Sequence, residues 1–179
     1  PMQQPKVSVR LVYSGDMEDN AKNRMIVELL SRALDSRYMI SIREEKGGTY
    51  GVRVSGGTSK YPVEQYVITI KFDTNEQLAD ELVEICDKEI KRIAEEGPLV
   101  EDIAKSKEFL QKNYNNVLES NSGWMSTIYN LYEEGYNYKD EYLDILASIT
   151  EDDIKALAQR ILADGNRTLV VMRPGATTE

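Results

Sequence analysis

The segment YGVRVSGGTSKYPVEQYVITIKF, residues 50–72, decides the fold class. Tyr50, Val52 and Val54 alternate with Gly51 and Arg53, the period of a half-buried strand. Ser55-Gly56-Gly57-Thr58-Ser59 reads as a loop, and Val63 to Phe72 as the next strand. No helix fits between them. Two neighbouring strands joined this way are antiparallel, because a parallel pair needs a crossover of about a dozen residues or more.

Working outward toward the N-terminus, Val7, Val9, Leu11 and Tyr13 alternate with Ser8, Arg10 and Val12, a strand ended by Ser14-Gly15-Asp16. Met25, Ile26, Leu29, Leu30, Ala33 and Leu34 then recur at three- and four-residue steps, which predicts an amphipathic helix starting near Asp19 or Asn20. Tyr38 to Ile42 continues apolar before a polar, glycine-rich stretch.

On the other side, Thr74-Asn75-Glu76-Gln77 has the form of a capping box and opens a helix lined by Leu78, Leu82, Ile85, Cys86, Ile90 and Ile93. Gly97-Pro98 stops it. A helical run from about Leu99 to Glu119 follows, then a polar break at residues 120–123, then helices near Met125–Glu134 and Asp140–Ser148. Thr150-Glu151-Asp152-Asp153 caps a last helix carrying Ile154, Leu157, Ile161 and Leu162, and Thr168 to Met172 reads as a closing strand. The class is α+β, a mainly antiparallel sheet with helices packed on one face. One domain over residues 7–173 is expected, with a disordered segment or linker at 1–6 and a tail at 174–179; no repeat and no low-complexity segment is present.

The counts narrow function. The 179 residues are 41% hydrophobic, enough for a core and too apolar for a disordered chain. Acidic side chains number 31 and basic ones 22, and a net charge of -9 opposes general nucleic-acid binding. No apolar run is long enough to span a membrane. One cysteine and no histidine exclude an internal disulfide, a multi-thiolate metal site, Ser-His-Asp and Cys-His nucleophile systems, and zinc-protease helix motifs. Alone, the chain is a poor candidate for a complete enzyme. Pro1 is not a natural start, so a chain excised from something longer is expected.

The most unusual stretch is Arg43 to Gly51, with three glycines in its last five residues. Along a straight strand Arg43 and Tyr50 would point to opposite faces; a Gly47-Gly48 turn cancels that parity and could bring both tips together. A guanidinium and a phenol are both donors suited to a peptide carbonyl or a developing oxyanion. The plainer reading is a glycine turn, with Tyr50 in the core and Arg43 paired to a surface carboxylate.

The string I-R-E-E-K-G-G-T-Y-G-V, preceded by a strand–helix unit and followed by a second strand, resembles the C-terminal domain of the pitrilysin/insulinase family of zinc proteases. The resemblance extends from about Val7 to Arg173. It implies the repeated α+β domain of mitochondrial processing peptidase-like metallohydrolases, in which two bowl-like halves surround a chamber. One half carries zinc on an inverted H-x-x-E-H motif. The other supplies an Arg and a Tyr that reach across to the substrate, here Arg43 and Tyr50, with Gly47 and Gly48 between them as part of the substrate-binding segment. The zinc ligands and general base have no counterpart in a chain without histidine.

So the chain is expected to bind no cofactor itself, with zinc in the missing catalytic part. The implied partner is an N-terminal zinc-binding half of the same polypeptide or a separate catalytic subunit, acting with this chain on a peptide substrate. The bacterial periplasm or cell envelope is the compartment the family suggests. A second hypothesis is a non-catalytic assembly subunit of the same fold, and a third a generic α+β ligand-binding domain.

Other motifs carry less. Lys46-Gly47-Gly48-Thr49 lacks the order of a phosphate loop. Carboxylate pairs such as Glu44-Glu45, Glu95-Glu96 and Glu133-Glu134, and the run Glu151-Asp152-Asp153, have no calcium-loop spacing and read as solvated faces. Tyr129, Tyr132 and Tyr136, with Phe109, Tyr114 and Trp124, suggest an aromatic cluster used in core or interface packing. Cys86 sits on an apolar helix face as core.

Overall fold

The structure is a computed structural model that describes residues 6–44, 46–47, 49 and 51–174. Among them four strands form one sheet: β1 (Val7–Asp16), β2 (Val52–Ser59), β3 (Gln65–Thr74) and β4 (Arg167–Met172). Their spatial order is β2-β3-β1-β4 and every pairing is antiparallel. Six α-helices complete the fold: α1 (Ala21–Tyr38), α2 (Ala79–Glu96), α3 (Val100–Glu119), α4 (Asn121–Glu134), α5 (Tyr138–Ser148) and α6 (Glu151–Asp164). The α+β architecture expected from the residue pattern is what the chain adopts.

Period-two alternation sets the buried face of the sheet. Val7, Val9, Leu11 and Tyr13 of β1 and Tyr66, Ile68, Ile70 and Phe72 of β3 are buried, and the register sets Val9 against Phe72 and Leu11 against Ile70. Onto that face pack the stripes of α1, α2 and α6; Leu29, Leu30, Leu34, Leu82, Cys86, Ile90, Ile154 and Ile161 are all nearly inaccessible. Each such side chain contributes roughly 1.5–3 kcal/mol by leaving water, so this layer dominates stability. By contrast Thr127 is the one buried residue of α4 among those described, and Met125, Tyr129 and Tyr132 of the same helix stand in solvent.

Two local expectations give way to tertiary structure. Residues 55–59 are not a loop: Ser55 to Ser59 pair with Thr69 to Gln65 as part of β2, and the reversal falls at residues 60–64. Glycine there reflects close packing, since a Cβ on Gly56 would collide with Ser31 and Val27 of α1. Nor does Thr74 open a helix. It ends β3 opposite Val7, buried, and α2 starts at Ala79 after Asn75 has accepted the Leu78 amide at 3.0 Å. Strand pairing outcompetes the cap.

Other signals act at or near where they were read, although residues 121–123, expected in a polar break, form the first turn of α4. Gly97 closes α2 at φ 88°, and Ser120 caps α4 by accepting from the Gly123 amide at 3.0 Å. Thr150 and Asp153 form a reciprocal capping box at the start of α6.

Candidate functional site

Arg43 stands at the end of a helix rather than on a strand. Beyond Tyr38 the chain of α1 widens into a π-helical turn, Met39–Glu44, a geometry frequent at functional sites. The parity argument through a glycine turn therefore does not describe Arg43; apolar Tyr38 to Ile42 continues the helix because Tyr38 and Ile42 both reach the core, at 0% exposure. Gly47, at φ 59°, returns its amide to the Arg43 carbonyl at 3.1 Å and closes the turn.

The base of this segment is tied to α2. Tyr38 donates its hydroxyl to the Cys86 carbonyl at 3.0 Å, and the Arg37 guanidinium meets the Glu89 carboxylate at 3.1 Å. Ser41 donates to the Arg37 carbonyl at 3.0 Å, and Lys46 pairs with Glu81 at 2.6 Å. Burial holds the Tyr38 phenol far above its ordinary range and pushes the Cys86 thiol up to about 12. Cys86 is thus an inert core thiol. Sequence reasoning had no signal for the anchors to α2, Tyr38 with Cys86, Arg37 with Glu89 and Lys46 with Glu81, which join positions 35 to 52 residues apart.

Above the anchor, the Arg43 guanidinium is exposed. Among the described side chains it meets the Met39 sulfur, at 3.2 Å, and pairs with no carboxylate. Gly48 and Tyr50 lie outside the described residues. Thr49 accepts the Gly51 amide at 3.2 Å, and β2 begins at Val52.

The aromatic cluster differs from expectation. Tyr129 and Tyr132 are exposed at 63% and 87%, whereas Tyr114 and Tyr136, also expected in the cluster, do meet other rings: Tyr114, Tyr138 and Tyr142 lie 4.6–5.5 Å apart, and Tyr136 sits edge-on to Tyr138 at 6.3 Å. Helical spacing put Tyr129 and Tyr132 on one face, but no described element covers that face. Phe109 instead carries the Arg32 guanidinium 4.3 Å above its ring.

Among the described residues no group of three or more Cys, His, Asp or Glu side chains is placed to hold a metal ion. No helix among them is long and apolar enough to cross a membrane. With no imidazole in the chain and its one thiol buried and held protonated, the residues present do not fit a zinc centre.

An antiparallel sheet backed by helices, with an exposed arginine at the end of α1's π-helical turn, defines an α+β domain that presents no metal-ligating set among the described residues. The chain belongs to the family described as the peptidase M16 inactive domain, whose model matches residues 1–110. That agrees with its resemblance to the non-zinc-binding domain of pitrilysin/insulinase proteases.

Among relatives, it is 26% identical over 140 residues to a zinc protease PQQL-like protein of Arabidopsis thaliana, covering 74% of this chain and 15% of that one. Its fold is similar to the periplasmic protease PqqL from Escherichia coli, with a TM-score of 0.83 and 18% identity over 97% of this chain and 20% of that one. It is also similar to a peptidase M16 inactive domain from Pseudomonas fluorescens, with a TM-score of 0.77 and 18% identity over 99% of this chain and 43% of that one. The chain thus spans less than half the length of each of these relatives.

Proposed function

We propose that this chain is the substrate-contacting, non-metal domain of a zinc metalloendopeptidase, contributing Arg43 and Tyr50 to a composite site completed by a zinc-binding domain. One observation carries the reading: Arg43 is exposed, without a carboxylate partner among the described residues, on a helix end tied to the core through Tyr38 and Arg37. A structural arginine on a surface this acidic would be expected to carry an ion pair, as Arg24, Arg37 and Arg167 do.

The zinc of the catalytic domain would polarise the scissile carbonyl and activate water. Arg43 would orient the substrate carbonyl and stabilise the developing negative charge, with the Tyr50 phenol as a second donor and Gly47 and Gly48 leaving room for the substrate backbone. Because these groups and the metal sit on different domains, the site forms only when the domains close. The domain alone cleaves nothing. Periplasmic location is part of the proposal, supported by the compartment of PqqL.

The test is complementation. The chain is mixed with, or rejoined to, the zinc-binding part of its protein, and peptide cleavage is followed. Arg43→Ala and Tyr50→Phe are expected to lower turnover by about 100–1,000-fold, the usual cost of one oxyanion donor. Association of the two parts should stay unchanged. Full activity in both variants would refute the assignment.

The second reading, an assembly domain that binds a partner protein, is favoured by α4, whose Met125, Tyr129 and Tyr132 remain uncovered. Unchanged activity in the Arg43 and Tyr50 variants, together with lost association in Tyr129→Ala or Tyr132→Ala, would select it.

A further inference from the structure

The sheet face turned away from the helices carries three cations abreast. The register sets Arg53 of β2 against Lys71 of β3, and Lys71 against Arg10 of β1. Adjacent strands lie about 4.8 Å apart, so the row spans roughly 10 Å. Each cation alternates with residues packed into the core: Arg10 lies between Val9 and Leu11, Lys71 between Ile70 and Phe72, and Arg53 between Val52 and Val54. All three are exposed, and none is recorded in an ion pair or hydrogen bond with a described residue.

Like charges directly opposite one another destabilise a sheet. In a chain of 31 acidic and 22 basic residues, neutralising carboxylates are plentiful, yet no described carboxylate pairs with any of the three, although Asp73 lines the trough they share. The carboxylate at the next outward position of β3, Asp73, is engaged by the Ser8 hydroxyl at 2.7 Å.

The row lines a trough of about 570 Å³. Val170 and Met172 of the edge strand β4 form its apolar side, 46% and 65% exposed, with Val170 directly beside Arg10. At the opposite side the trough reaches Gly51, the residue after Tyr50.

We infer that this trough binds an acidic, extended segment of the peptide substrate, with carboxylates on Arg53, Lys71 and Arg10 and an apolar side chain on Val170 and Met172; this rests on the protease reading above. Two guanidinium forks suit carboxylates in particular. Nucleic acid fits less well: it would leave the apolar side uncovered, and a polyanion is repelled by a chain of net charge -9. A short segment with a few carboxylates meets far less of that repulsion.

The experiment measures binding directly, without cleavage. A fluorescein-labelled peptide alternating glutamate with leucine is titrated with the 179-residue chain and followed by anisotropy. The same peptide with glutamine for glutamate, and a single-stranded oligonucleotide of equal charge, are titrated beside it. The acidic peptide is expected to bind with an affinity that falls as salt rises. The combined R10Q, R53Q and K71Q variant should bind at least about tenfold more weakly, the equivalent of one charge-assisted hydrogen bond. Lys71→Arg, which keeps the charge, should stay within about threefold of the parent.

The combined variant's melting temperature should be equal or higher, because the repulsion is gone, which separates lost binding from lost folding. If it does not fold, Lys71→Gln alone, at the centre of the row, takes the same readout. Equal affinity in the charge-deleted chain, equal binding of the glutamine peptide, or tighter binding of the oligonucleotide would each overturn the inference. Peptide binding in a chain that fails complementation would instead sink the protease reading and leave a trough for acidic peptides.

Discussion

Tyr38 donates its hydroxyl hydrogen to the main-chain carbonyl of Cys86, 3.0 Å away, and both residues have no accessible surface. This bond fastens the end of α1 to the middle of α2 one residue before the π-helical turn that carries Arg43. A buried phenol without an acceptor would be costly, so the bond also fixes where α1 stops moving relative to α2.

Tyr38→Phe should therefore destabilise the fold by about 1 kcal/mol, the net worth of an ordinary intramolecular hydrogen bond, and lower the melting temperature by a few degrees. In a rejoined protease it should also weaken substrate binding, since Arg43 loses its footing. Thermal denaturation and the KM of the same variant check the two halves of this expectation. An unchanged melting temperature would show that the bond does not hold the helices together.

Stability should be flat across neutral pH and fall at both extremes. The chain has no histidine, so no imidazole titrates between about pH 6 and 8. On the alkaline side Cys86 is raised from 9.0 to about 12 by burial, and Tyr38 is raised above 10.0 for the same reason. A folded value above the unfolded one contributes stability that is complete below about 9 and disappears as pH climbs toward the folded values. On the acid side Asp19 is lowered from 3.8, chiefly by its bond to Arg24, so its contribution exists above 3.8 and is lost as pH falls below it. Melting temperatures across the range, with phenolate absorbance in parallel, test this; an inflection near neutrality would contradict it.

Gly56→Val should cost about 1–3 kcal/mol by overpacking the crossing of α1 over β2. A Cβ there already comes to 2.9 Å from the Val27 side chain and overlaps the Ser31 hydroxyl. Its neighbour is the control: nothing lies within 4 Å of a Cβ on Gly57, so Gly57→Val should change little. Paired urea titrations of the two variants separate packing from any general effect of removing glycine.

Thr150→Ala removes one half of the box in which Thr150 takes the Asp153 amide at 3.3 Å and Asp153 takes the Thr150 amide at 2.8 Å. The expected loss is about 1 kcal/mol. Thr150→Ser, which retains the acceptor, should recover most of it. Equal melting temperatures for Thr150→Ala and the parent would mean the packing of Ile154 and Leu157 alone sets the start of α6.

Local chemistry written in consecutive residues was legible. The alternation of Val7 to Tyr13, the stripe from Met25 to Leu34, the stop at Gly97 and the box at Thr150 each depend on neighbours within a few positions, and the molecule obeys them. The class α+β followed, because strands at residues 52–72 with no helix between them leave no parallel solution. The absence of histidine in the sequence likewise removed most catalytic chemistry before any fold was known.

What depended on contacts between distant segments was decided only in three dimensions. Ser55 to Ser59 look like a loop until β3 offers them hydrogen-bond partners, and Thr74 looks like a cap until Val7 claims it. Arg43 follows a run that reads equally as strand or helix; the burial of Tyr38 and Ile42 against the core selects the helix and so points the guanidinium outward. Arg10, Arg53 and Lys71 are unremarkable single cations in their own strands. Only the register of three paired strands brings their charges together, since strand pairing sets distances of a few ångströms between residues up to 61 positions apart in the chain.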